Sequence, residues 1–182
     1  MTQPGFFRYA IAVRHPMMKN SELATACAQI RIIQFETIMP GSPSKHNDFL
    51  ADHIKLLTDS YERLTGRHLI RLQASPKEIA AAIYAADFVV LSSGVEADPL
   101  FNYANRTALS LFELDWNSLI ALPARESAET AQQSSRAKLM QRVIETGFID
   151  DYSGIRIAAS GRRFMIERAT VWNVVAEDGT WH

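Results

Sequence analysis

At 182 residues, 47% apolar and 21% charged, the chain is long enough for one domain with its own core and an extension. Its 19 basic and 20 acidic residues leave a net charge of -1, which supplies no overall field toward nucleic acid or an acidic membrane. Cys27 is the single cysteine, so neither an intramolecular disulfide nor a CxxC pair is available, and no apolar run approaches the roughly eighteen residues of a membrane span; a soluble, cytoplasmic protein is expected.

In chain order, Phe6 to Val13 reads as a strand, Met17 to Gln29 as a modest helix and Ile30 to Ile38 as a second strand. Met39-Pro-Gly-Ser-Pro-Ser is rich in breakers, and Met39 offers an alternative start. The expected division is therefore 1–42 as extension and linker and 43–182 as the domain. Phe49, Leu50, Ile54, Leu57, Tyr61 and Leu64 recur at helical spacing, with Asn47 or Asp48 as cap and Gly66 as the left-handed stop. Ser75-Pro76-Lys77-Glu78 is a capping box that starts another helix running to about Ala86. Phe88 to Ser92 and Leu100 to Tyr103 form a hairpin. Arg106 to Phe112, a turn capped by Asp115, and Ser127 to Thr146 are helical. Phe148 to Ala158 and Arg163 to Ala176 are strands joined at Ser160-Gly161. Strands at both ends with helices between predict an α+β fold, an antiparallel sheet with helices on one face.

Three stretches carry a family resemblance: Ala97-Asp-Pro-Leu-Phe-Asn-Tyr-Ala-Asn-Arg-Thr-Ala108, Phe148-Ile-Asp-Asp-Tyr-Ser-Gly154, and Gly161-Arg-Arg-Phe164 with Ala169-Thr-Val-Trp-Asn173. From about Asn47 to the C-terminus the chain resembles the MEKHLA family of PAS-like domains. The resemblance implies a sensory or regulatory module that holds a small molecule between sheet and helices, with a homodimer or a regulatory protein as partner. MEKHLA domains occur at the end of plant homeodomain-leucine zipper regulators and as free-standing bacterial proteins. The chain has no sustained heptad and no basic recognition helix, so direct DNA binding is not part of the expectation. A PAS sheet places its fifth strand centrally, between the first and the fourth. This sequence ends at Thr180-Trp181-His182, directly after the last turn, Asp178-Gly179. An empty slot would expose ladder groups on two neighbours. The favoured expectation is that the sequence stops short of that strand. The alternatives are a strand supplied by a dimer partner, or occupation of the slot by Phe6 to Val13 or Ile30 to Ile38.

The expected pocket comprises Tyr103, Asn105, Phe112, Trp116, Tyr152, Arg168 and Trp172: aromatic walls with a few placed polar groups. For Asn105 the structural reading is a helix cap, and for the aromatics it is core packing. His46, His53 and His68 lie outside the helical crossing in which a haem ligand would be expected, and Cys27 lies far from where a flavin adduct would form, so the cofactor is left unassigned. Asp150 and Asp151, adjacent on a strand, point to opposite faces. They suit ion pairing across strands rather than joint acid-base work with Glu167 and Arg168. Arg162 and Arg163 at a hairpin tip are expected in solvent. Without a G-x-S-x-G elbow or a Walker or Rossmann glycine pattern, the expectation is a non-enzymatic binding domain, the alternative being a pure protein-interaction module.

Overall fold

The structure, a computed structural model, describes residues 9–13, 41–94, 98–128 and 133–176. The helix expected over Met17 to Gln29, the strand over Ile30 to Ile38 and the Asp178-Gly179 turn lie outside the described residues. Five strands, β1 (Tyr9–Val13), β2 (Val89–Ser93), β3 (Phe101–Ala104), β4 (Phe148–Ile157) and β5 (Arg163–Asn173), form one antiparallel sheet in the order β3-β2-β1-β5-β4.

The central slot is filled from the N-terminal side. β1 pairs with β2 through Ile11↔Leu91 and with β5 through Ile11↔Val171, so both of its edges are hydrogen-bonded. Residues assigned to the extension are therefore an integral part of the sheet, and the boundary near Pro43 cuts across the fold. The slot is occupied by Tyr9–Val13, which lies within the expected Phe6 to Val13 strand.

Two rows of side chains across the sheet explain its layers. On one face Ala104, Leu91, Ile11, Val171 and Ile149 stand side by side in register, and all are buried. Their partners come from α3 (Arg106–Phe112), α4 (Trp116–Ile120) and α5 (Gln133–Thr146), through Ala108, Phe112, Leu119 and Val143. On the other face the row is Tyr103, Ser92, Ala10, Trp172 and Phe148. Its centre is small and its ends are aromatic, which leaves a trough for a helix. α1 (Ala51–Thr65) occupies it with Ile54, Leu57 and Tyr61, and α2 (Pro76–Ala85) adds Ala80 and Ile83. At 15 residues α1 is about 22 Å long, comparable to the ~19 Å spanned by five strands. The expected helical layer on one face is thus α3–α5, and the N-terminal pair forms a second layer on the opposite face.

Local chemistry sets most boundaries. Ser75 accepts from the Glu78 N–H, the Glu78 carboxylate accepts from the Ser75 N–H at 2.8 Å, and Pro76 opens α2. Gly66 ends α1 with φ 66°. The start of α1 differs from expectation. Asn47 closes a turn with Ser44, and Asp48, Phe49 and Leu50 are all left-handed (φ 51°, 54° and 59°), so the regular helix begins only at Ala51. Ser127, expected to open a helix, lies outside α5: its carbonyl accepts from the Ile157 N–H at 3.1 Å and covers part of the β4 edge.

Candidate functional site

The seven predicted pocket residues do not converge, because the sheet separates them. Phe112 and Tyr152 face α3–α5. Tyr103, Trp116 and Trp172 lie in the cluster beneath α1 and α2, where the Trp172 indole N–H donates to the Ser60 hydroxyl at 3.1 Å. Asn105 lies at the end of β3 with every side-chain position engaged. Its Oδ1 accepts from the Val90 and Ala108 N–H groups, both at 3.0 Å, and its Nδ2 donates to the carbonyls of Ile83 (3.2 Å) and Phe88 (2.6 Å). It caps α3 and ties β2 to the end of α2, leaving no free group for a ligand. Arg168 is exposed on a bulge, with φ 52°.

The bulge decides what faces the helices. Ile149 points toward α3–α5, and strict alternation would then send Asp151, Ser153, Ile155 and Ile157 the same way. Register shifts between Ile149 and Gly154 reverse the parity, so Tyr152, Gly154, Arg156 and Ala158 turn inward instead. β5 makes the matching change at Arg168, which lets Phe164 and Ile166 as well as Ala169 and Val171 face the same layer. Asp150 and Asp151 do diverge as expected, but their partners are Arg67 (3.2 Å) and Arg142 (2.9 Å) from opposite layers, not residues across the strand. Arg162 is likewise not simply in solvent: it pairs with Glu113 at 2.7 Å and donates to the Leu111 carbonyl at the end of α3.

Arg156, which sequence reasoning missed, is the consequence. It is only 8% exposed, sits in register with Phe164 and lies 5.3 Å from the centre of the Tyr152 ring. Among the described residues its one side-chain hydrogen bond is to the neighbouring Ile155 carbonyl at 3.3 Å, and no carboxylate pairs with it. The signal available in the sequence was an arginine at Arg156 between Ile155 and Ile157, but the bulge that points it inward has no sequence signature of its own. Ser93 is a second polar group on this face. It pairs with Phe101, and its hydroxyl is enclosed without a partner among the described residues. The apolar wall includes Phe112, 5.1 Å from Phe164 and 6.4 Å from Phe101.

On the α1 side, His53 Nε2 donates to the Ser92 hydroxyl at 2.9 Å, and that hydroxyl donates to Asn102 at 2.5 Å. Tyr103 lies alongside, its ring 5.6 Å from His53 and 6.2 Å from Trp116. Its hydroxyl is enclosed and unpartnered among the described residues, and burial pushes the phenol far above its ordinary pKa, so it stays a neutral donor.

The MEKHLA domain model matches residues 51–182. The chain belongs to the MEKHLA domain family. Its curated relatives include homeobox-leucine zipper protein HOX32 of Oryza sativa subsp. japonica, 29% identical over 177 residues, which cover 93% of this chain and 20% of the relative. Another is ATHB-9 of Arabidopsis thaliana, 30% identical over 89 residues, or 47% of this chain and 10% of the relative. The chain thus spans about a fifth or less of the curated relatives it matches. A crystal structure of a Vivid variant aligns with a TM-score of 0.39 and 11% identity, over 64% of this chain and 91% of that one. The MEKHLA chain is an α+β domain whose five-stranded antiparallel sheet has β1 in its central position. No helix among the described residues is long and apolar enough to cross a membrane.

Proposed function

We propose that this MEKHLA domain is a non-enzymatic sensor that takes a small molecule between the sheet and α3–α5 and passes the state of that layer on through protein contacts. The observation that carries the reading is the enclosed Ser93 hydroxyl on a largely apolar face that it shares with Arg156. A buried hydroxyl left without a partner costs about 1–3 kcal/mol, and a ligand offering one polar atom recovers it. Family membership supports a sensory role, and the relatives that share the domain include homeobox-leucine zipper proteins.

Native mass spectrometry of the chain purified from its own cells tests this, by comparison with the denatured mass. Extra mass lost on denaturation is expected. A bare chain that also shows no saturable binding across a small-molecule library would defeat the reading. The ring contacts of Phe101, Phe112 and Phe164 favour a second one, a layer filled by its own side chains that serves only to engage proteins. A bare, stable dimer would point there.

A further inference from the structure

We infer that Arg156 and Tyr152 form an anion site, and that the ligand of this domain is a small carboxylate with an apolar body. The inference rests on the sensor reading above and deepens it by naming the ligand class.

A guanidinium is rarely buried without a carboxylate, because its desolvation is costly unless its donors are used. Arg156 is buried, yet among the described residues its side chain makes one long hydrogen bond, to a carbonyl of its own strand. Among the described residues only the Ser93 and Tyr103 hydroxyls are both sealed and unpartnered, so the remaining Arg156 N–H groups are open to an incoming group. The Arg156 guanidinium lies over the Tyr152 ring, 5.3 Å from its centre, while no protein group among the described residues uses the Tyr152 hydroxyl. The backbone is also configured for this outcome: without the paired bulges Ile155 and Ile157 would face α5 and Arg156 would face solvent. Left-handed Arg168 carries backbone strain in an arrangement that faces an arginine inward where isoleucines were available.

The planar fork of arginine matches a carboxylate through two parallel hydrogen bonds. Phe164, which is in register with Arg156, and the cluster it belongs to are apolar, so the rest of the ligand is hydrocarbon or aromatic rather than a sugar or nucleotide.

The test uses the full chain labelled with nitrogen-15 and titrated with butyrate, octanoate and benzoate, each beside its alcohol. At least one carboxylate is expected to shift the amides of Tyr152 to Ile157 and of Phe164 to Ile166 saturably, and to bind at least about tenfold more tightly than its alcohol. Arg156→Gln should remove that preference and Arg156→Lys should restore it only in part, with thermal melts confirming that both variants fold. Should Arg156→Gln not fold, Tyr152→Phe is the second variant, expected to weaken the carboxylate and leave the alcohol unchanged. Equal binding of acid and alcohol on this face would overturn the anion site and leave the sensor reading standing. Failure of every carboxylate to bind, or unchanged carboxylate affinity in Arg156→Gln, would also overturn it. Native mass spectrometry judges the broader reading separately.

Discussion

Tyr103 and Asn105 stand two residues apart at one edge of the sheet and are opposites in hydrogen bonding. Asn105 uses all four of its positions, so Asn105→Ala strips a helix cap and leaves buried partners unsatisfied. The expected loss is about 2–4 kcal/mol, read from the denaturant midpoint. Tyr103→Phe removes an enclosed hydroxyl without a partner and should stabilise the domain by about 1 kcal/mol. The same variant tests the pH dependence. The folded phenol titrates far above its ordinary value because it is buried, whereas the unfolded chain loses the proton near pH 10. Stability is therefore full below about pH 10 and falls as pH rises beyond it, since only the unfolded state then releases the proton. Tyr103→Phe should flatten that alkaline slope in chemical unfolding. Both residues were legible as important, but whether a polar atom is used or idle depends on neighbours 15 or more residues away, such as Val90 and Ile83.

At the scale of elements, the capping box of α2, the Gly66 stop and the span of α3 follow the sequence closely, since each depends on contacts within a few residues. β1 does not. Tyr-Ala-Ile-Ala-Val is a plausible strand anywhere, and its place between β2 and β5 is fixed by ladders to residues about 80 and 160 positions away. Because both of its edges are paired, Ile11→Pro should cost at least about 3 kcal/mol, and β1 amides should exchange as slowly as those of β2. Rapid β1 exchange in a folded domain would count against the placement. The β4–β5 hairpin is tied to α3 at its tip. Hydrogen bonds from Ser160 and then Arg162 hold the Glu113 carboxyl below its usual range. The tether is present above the ordinary carboxylate range and is lost as pH falls through the lowered folded value. A carbon-detected titration should place Glu113 below a free glutamate, and Arg162→Gln should move it back toward normal.

For the molecule as a whole, one sheet serves two helical layers. Trp116 and Trp172 report mainly on the α1–α2 side, while Phe112 and Phe164 lie on the α3–α5 side. Since β1 and β5 contribute to both cores, the layers should unfold together. Tryptophan fluorescence and fluorine-labelled phenylalanine signals should give coincident denaturation curves, and separate midpoints would show that the layers are independent.

What the sequence determined by itself was local: the α+β class, the helix caps and turns, the MEKHLA resemblance carried by residues between Ala97 and Asn173, and the divergence of Asp150 and Asp151. Only the tertiary structure decided which strand completes the sheet, which face each aromatic occupies and that Arg156 turns inward. Strand parity reverses at each bulge, and strand position is set by long-range ladder hydrogen bonds. Neither is encoded in the spacing of residues along a single strand.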